Sequence, residues 1–179
     1  MSRLPPLDPA KFTPEQKALA PELSRGRDRI QGPFSVWIRH PPVADAANRL
    51  LTAIRQNGRL DKRLYELLVL TVVRRAGVQY AWAVHEPLAR AAGIAPEIIE
   101  ALRSERTPPL TEPDDCLIYE ATVSLLDTFS LPDDTYQKLM KRFGESLTIE
   151  IVTTVGAYGM IGMVLNSFDV PAPNNARSF

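Results

Sequence analysis

Apolar side chains recur along most of the chain at intervals of three and four residues, the spacing of an α-helix, and no stretch alternates like a half-buried strand. The 16 prolines gather at segment boundaries, where they punctuate helices. Leu4 to Pro9 is proline-rich and reads as extended. Thr13-Pro14-Glu15-Gln16 reads as a helix start, with Thr13 as cap, Pro14 in the first turn and Gln16 completing a capping box. That helix should end near Gly26. Gly32-Pro33-Phe34 opens a loop running to His40-Pro41-Pro42. A helix is predicted from about Pro42 to Asn57, where Val43, Ala46, Ala47, Leu50, Leu51 and Ile54 recur at helical spacing and Gly58 stops it. Asp61 caps the next, Lys62 to about Arg75. Leu64, Leu67, Leu68, Val69, Leu70, Val72 and Val73 make it apolar nearly all round, so it belongs at the centre of the fold. Gly77 breaks it. A helix from about Gln79 to Ala92 follows after so short a connection that the two should be antiparallel neighbours.

Pro96 to Arg103 reads as a short helix. Thr111 is the expected cap of a helix carrying Leu117, Ile118, Ala121, Leu125 and Phe129; Pro132 starts another, ending at Gly144. The last helix spans roughly Ser146 to Ser167. The pattern predicts an all-α protein of about seven or eight helices, one domain over residues 1–179, with flexible ends at about 1–10 and 171–179.

Composition narrows the function classes. Hydrophobic residues make up 45% of the chain and charged residues 23%, a globular balance with ample material for a core. Lys+Arg and Asp+Glu both total 21, so the basic excess of a nucleic-acid binder is missing and no nucleic-acid partner is expected. With one cysteine, Cys116, no intramolecular disulfide can form, and a reducing compartment, most simply the cytoplasm, is expected. The first six residues lack the apolar core of a secretory signal. Ile151 to Phe168 is an uncharged stretch that approaches the length of a membrane span. Its glycines, threonines and acidic flanks favour a buried helix, packed at a subunit contact, and no membrane partner is expected. Gly156, Gly159 and Gly162 lack the strand and lysine of a phosphate loop, and packing against another backbone is the expectation. Only two histidines, His40 and His85, and no cysteine cluster leave no protein-built metal site; no metal or other cofactor is expected.

Glu66 is the residue that needs explaining, because an ionised carboxylate in an apolar helix requires a partner. It lies about ten residues before the hairpin turn and His85 about seven after it, so at roughly 1.5 Å per residue their heights differ by only a few ångströms. A Glu–His pair in an apolar setting is a proton-transfer device, since the carboxylate orients the imidazole. The plainer alternative pairs Glu66 with Lys62 or Arg63 on its own helix, and makes His85 a core histidine beside Glu86. Cys116 follows Asp114-Asp115, whose charges oppose thiolate formation.

Three blocks resemble the carboxymuconolactone decarboxylase family, which shares the all-α fold of alkyl hydroperoxidase D. They are Gly32-Pro33-Phe34-x-x-Trp37; Glu66-Leu67-x-x-Leu70 with Tyr80-x-Trp82-x-x-His85-Glu86-Pro87-Leu88-Ala89-x-x-Ala92-Gly93; and Tyr158 with Leu165-Asn166-x-Phe168-x-Val170-Pro171. The family's peroxidase branch carries Cys-x-x-Cys, then His four residues on, and Glu on the preceding helix. Those places fall at Val78, Ala81, His85 and Glu66, so the resemblance implies no thiol peroxidase here. The cysteine-free branch usually reads Tyr-Glu-Trp where this chain has Tyr80-Ala81-Trp82. The resemblance implies a homo-oligomer, commonly a trimer or hexamer. It also implies a decarboxylase-like lyase acting on a small carboxylated lactone or related aromatic-degradation product. His85 would carry the proton and Glu66 would orient it; Tyr80, Trp82, Asn166 and Trp37 are the candidate substrate-binding residues. Arg39, Arg74, Arg75 and Arg90 are possible carboxylate clamps. The alternative is an oligomeric binding protein of the same fold without catalysis.

Overall fold

A computed structural model describes residues 2–173 and 179. It holds a 3-10 turn, Pro9–Lys11, and eight α-helices, with no strand among the described residues. These are α1 (Pro14–Ser24), α2 (Phe34–Trp37), α3 (Pro41–Arg55), α4 (Lys62–Arg75), α5 (Gln79–Ala91), α6 (Pro96–Arg103), α7 (Pro113–Thr128) and α8 (Asp133–Ser167). Helix α4 is the hub. All ten residues from Leu64 to Val73 are buried, and α5, α6, α7 and α8 pack around it. Helices α1 and α2 rest on α3, and α3 on α8.

Local chemistry sets the boundaries. Thr13 Oγ1 accepts from Gln16 N at 3.2 Å while Gln16 Oε1 accepts from Thr13 N at 2.9 Å, the reciprocal capping box. Asp61 accepts from the amides of Arg63 and Leu64 and so fixes the first turn of α4. The α4–α5 hairpin turns at Gly77, whose φ of 63° suits glycine.

Two expectations need correction. The loop after Gly32 contains a turn of helix, α2, because Phe34, Val36 and Trp37 find buried sites at helical spacing. Thr111 does not cap α7: Pro113 suits the first helical position, so Glu112 occupies the cap, with no side-chain bond. The expected break before the last helix falls at Gly144, whose non-helical backbone (φ 75°, ψ 175°) divides α8 into two helical segments that meet at a kink. The glycine face of α8 is mostly open. Only Gly162 lies against a neighbour, where an added Cβ would stand 2.8 Å from Val78 Cγ2; nothing lies within 4 Å of that position at Gly156 or Gly159.

Helix α8 is also less buried than expected. By length and composition it is the one helix among the described residues apolar enough to cross a membrane, and 44% of its most apolar window is buried within the chain. Ile149, Val152 and Met163 stand exposed along it, at 59, 37 and 68%.

Both ends of the chain make specific contacts. Arg3 N donates to Phe168 O at 3.0 Å, its side chain pairs with Asp169 at 2.7 Å, and Arg39 donates to Pro5 O. The expectation for the C-terminal end falls partly on residues 174–178, which lie outside the described residues. Phe179 packs edge-on against Trp82 with centroids 5.5 Å apart and accepts from Gln79 Nε2 through its carbonyl.

One clasp holds the entry to α4. Glu150 on α8 accepts from Arg59 N at 2.9 Å and Leu60 N at 3.0 Å. A Cβ on Gly58 would come within 2.3 Å of Ile54 O and 2.7 Å of Glu150 Oε1. Replacing Gly58 by Ala should therefore cost about 1–3 kcal/mol, read as a lowered Tm. An unchanged Tm would show that this approach does not constrain the fold.

Candidate functional site

Asp61 and Gly77 set the two ends of α4, and with them the register of the α4–α5 hairpin. In that register Glu66 and His85 meet across the hairpin, Oε2 to Nδ1, at 2.8 Å. Both are buried, at 3 and 4% exposure. The intrahelical alternatives are not what the structure contains. Arg63 turns away to Asp115 at 2.5 Å. Glu86 faces the other side of α5, where it accepts from Trp82 Nε1 at 2.8 Å and binds Arg90 and Arg103. Burial would raise the Glu86 pKa, but the hydrogen bonds from Arg90, Trp82 and Arg103 outweigh it and hold the carboxyl below its ordinary value.

The contact continues beyond the pair. Tyr158, from α8, places its hydroxyl 3.2 Å from His85 Nε2, and Tyr65, from α4, places its hydroxyl 2.7 Å from that of Tyr158. The imidazole and the Tyr158 ring stand edge to face at 5.2 Å and 85°. Four polar side chains from three helices thus form a continuous buried string: Glu66, His85, Tyr158, Tyr65. Burial pushes the Tyr158 phenol up to about 12, and it raises Tyr65 further; the nearby Arg55 charge opposes both shifts without overcoming them. Both phenols therefore keep their protons at neutral pH.

Sequence reasoning does not single out Tyr65 or Tyr158 as site residues; Tyr158 is only a matched position of the resemblance. The signal it misses is a tyrosine on an otherwise apolar helix face, since a buried hydroxyl must find a hydrogen-bond partner.

The other candidates lie elsewhere. Tyr80 is half-buried and lines a cleft of about 1100 Å³ together with Arg27, Arg29, Arg39 and Gln31. Its ring packs against Gly32, where a Cβ would stand 3.0 Å away, and burial raises its phenol pKa. Neither His85 nor Glu66 lines that cleft. Trp82 is fully buried on the Glu86 side of α5. Trp37 is a core residue, edge-on to Phe34 at 5.4 Å. Asn166 is exposed and donates to Ala76 O at 2.8 Å, tying α8 to the hairpin turn. Of the possible clamps, Arg74, Arg75 and Arg90 are held in ion pairs with Glu105, Asp127 and Glu86. Arg39 faces the cleft. Val78 and Ala81 are buried and carry no sulfur, and Cys116 is exposed on α7.

The helical bundle has the AhpD-like fold, as comparison with known proteins shows. Residues 41–113, from α3 to the start of α7, match the model of the carboxymuconolactone decarboxylase family. No curated protein sequence matches the chain. Several solved structures share its fold. An uncharacterised peroxidase-related protein of Ralstonia eutropha JMP134, described as an alkylhydroperoxidase AhpD core, superposes with a TM-score of 0.79 at 13% identity. It covers 98% of this chain and 97% of that one. A peroxidase-related protein of Silicibacter sp. TM1040 gives 0.77 at 14% identity, covering 99 and 96%. A cysteine-to-alanine form of the debrominase Bmp8, in complex with 2,3,4-tribromopyrrole, gives 0.74 at 13%, covering 98 and 95%. At these identities the likeness is one of fold. Residues 41–113 thus carry the match to the carboxymuconolactone decarboxylase family, and the chain as a whole has the AhpD-like fold.

The buried phenols give the site a signature in alkali. A folded-state pKa raised from 10 to about 12 means that Tyr158 contributes stability in full below pH 10 and loses it as pH rises through 12. Two pKa units correspond to about 2–3 kcal/mol. Denaturant unfolding should show stability falling over that window, with a shallower fall in Tyr158→Phe. An identical alkaline slope in the variant would remove the assignment.

Proposed function

We propose that this protein is a cysteine-independent, decarboxylase-like lyase that moves a proton at the Glu66–His85 pair of a small carboxylated substrate's site. The observation that carries the reading is the 2.8 Å contact between two otherwise costly buried polar groups, facing each other across the central hairpin. The family match over α3 to α6 supports it. The substrate class is a carboxylated lactone or related product of aromatic-ring breakdown. Its carbon–carboxylate bond breaks, carbon dioxide leaves, the electron pair remains as an enolate, and a proton is delivered to that carbon; no oxidant or reductant is consumed. Thiol peroxidase chemistry is disfavoured, because Val78 and Ala81 stand at the places of the two cysteines. Tyr80 and Arg39, which share the 1100 Å³ cleft, are proposed to receive substrate on its way in. Trp82, Trp37 and Asn166 support the fold around the site.

A second reading keeps the fold and drops the chemistry: an oligomeric binding protein. The low exposure of Glu66 and His85 favours it, as does Ala81 where the cysteine-free branch carries a glutamate. A screen of small lactones and keto acids separates the two. Turnover should fall about 10²–10⁴-fold in His85→Ala and Glu66→Gln. Turnover indifferent to both substitutions would refute the site, and no turnover across the panel would favour the binding protein.

We also propose a cytoplasmic homo-oligomer, a trimer or hexamer, assembled through α8. Ile149, Val152 and Met163 leave an apolar stripe there, beside the open glycine positions. Light scattering should give a mass above that of one chain, reduced by Met163→Glu. A wild-type monomer would end this proposal.

A further inference from the structure

His85 cannot reach a substrate as it stands. Its Nδ1 is taken by Glu66 and its Nε2 by Tyr158, and its ring is buried. The reading above therefore needs a route by which protons reach a bound molecule. The hydrogen-bond string provides one, and its polarity follows from the groups themselves. A carboxylate at Glu66 only accepts, so His85 Nδ1 must donate to it. When the ring carries that one proton, its bare Nε2 accepts from Tyr158. The Tyr158 oxygen, having used its proton, accepts from Tyr65. Every hydrogen in the row points the same way, and Tyr65 is left with its oxygen lone pairs uncommitted.

We infer that Tyr65, wired through Tyr158, is the acid–base residue that meets the substrate, and that His85 and Glu66 act behind it as proton carrier and store. This rests on the proton-transfer reading above. Of the four groups Tyr65 is the terminal one and the least buried, at 8% against 1% for Tyr158. The balance closes with water as the proton source. A solvent proton enters at the Tyr65 oxygen as Tyr65's own proton passes to Tyr158, Tyr158's to His85 Nε2, and the Nδ1 proton to Glu66, which then holds it as a carboxylic acid. The carbon–carboxylate bond breaks, carbon dioxide leaves, and the electron pair remains on the substrate as an enolate. The reverse shift delivers the Tyr65 proton to that carbon and returns the negative charge to Glu66; one solvent proton is consumed for each carbon dioxide released, and no phenolate forms. The raised phenol pKa values fit this role, since each hydroxyl must hold a proton between transfers.

The same end of the row suits an anion. Arg55, at the end of α3, and Arg25, just past α1, act electrostatically on both phenols. Arg25 lies over the Phe34 ring and donates to Asn48. The Arg55 side chain is exposed and makes no hydrogen bond or ion pair among the described residues. A guanidinium whose field reaches a proton-bearing phenol would draw a carboxylate toward the end of the row.

Two measurements test the inference. In the turnover screen, Tyr65→Phe and Tyr158→Phe each remove one oxygen atom. Each should lower kcat about 10²–10⁴-fold with KM changed far less. Activity that requires His85 and Glu66 but survives Tyr65→Phe overturns this inference and leaves the proton-transfer reading standing. Activity that survives all four changes overturns the reading itself. The second measurement needs no turnover. Benzoate, a plain carboxylate probe, is titrated into the wild-type protein with ring-labelled tyrosines. The Tyr65 signals should move saturably, and the movement should be lost in Arg55→Ala. Movement confined to Tyr80, or none at Tyr65, overturns the placement of substrate at the end of the row.

Discussion

A carboxyl group in the most apolar helix of the chain is the constraint from which the rest of the structure follows. Glu66 sits among Leu64, Leu67, Leu68 and Val69 on α4, every one of them buried. An unpartnered charge there would cost several kcal/mol. The fold meets this with His85 on the adjoining helix, and the demand then passes outward. An imidazole fixed through Nδ1 needs a partner at Nε2, a buried Tyr158 hydroxyl needs one of its own, and Tyr65 supplies it. Three helices are thereby locked in mutual register by one row of bonds. The Asp61 cap, the turn at Gly77 and the Glu150 clasp all serve to hold α4 where that row can form.

What the sequence reveals depends on how local its cause is. The ends of α4 and α6 are readable because Asp61, Ala76-Gly77 and Pro96 act on their own neighbours. The Glu66–His85 contact is readable because helical rise and a short connection fix relative heights. The short helix α2 is less readable, since four residues leave no periodicity to find. The role of Tyr158 is hidden for another reason. It lies 73 residues from His85 and reaches it only through the packing of α8 on α4, which no spacing rule specifies. The glycines of α8 signal only that a close approach is permitted; within one chain Gly162 has a neighbour that uses it, and Gly156 and Gly159 stay open.

The comparisons and the geometry bear on different levels. The solved structures share the architecture at 13–14% identity, which speaks for the fold. The chemistry must be argued from side chains, because peroxidase-related proteins and a debrominase share this scaffold. Here the side chains that face one another at the hairpin are a carboxylate, an imidazole and two phenols.

The presence of Val78 and Ala81 in place of a sulfur pair also changes what the surroundings can do to the protein. Every working atom in the buried row is oxygen or nitrogen, and the single thiol, Cys116, is exposed on α7, away from it. Hydrogen peroxide converts thiols stepwise to sulfenic and higher acids, and the row offers it no such target. A cell swinging between aerobic stress and reducing calm would leave this centre in the same chemical state throughout.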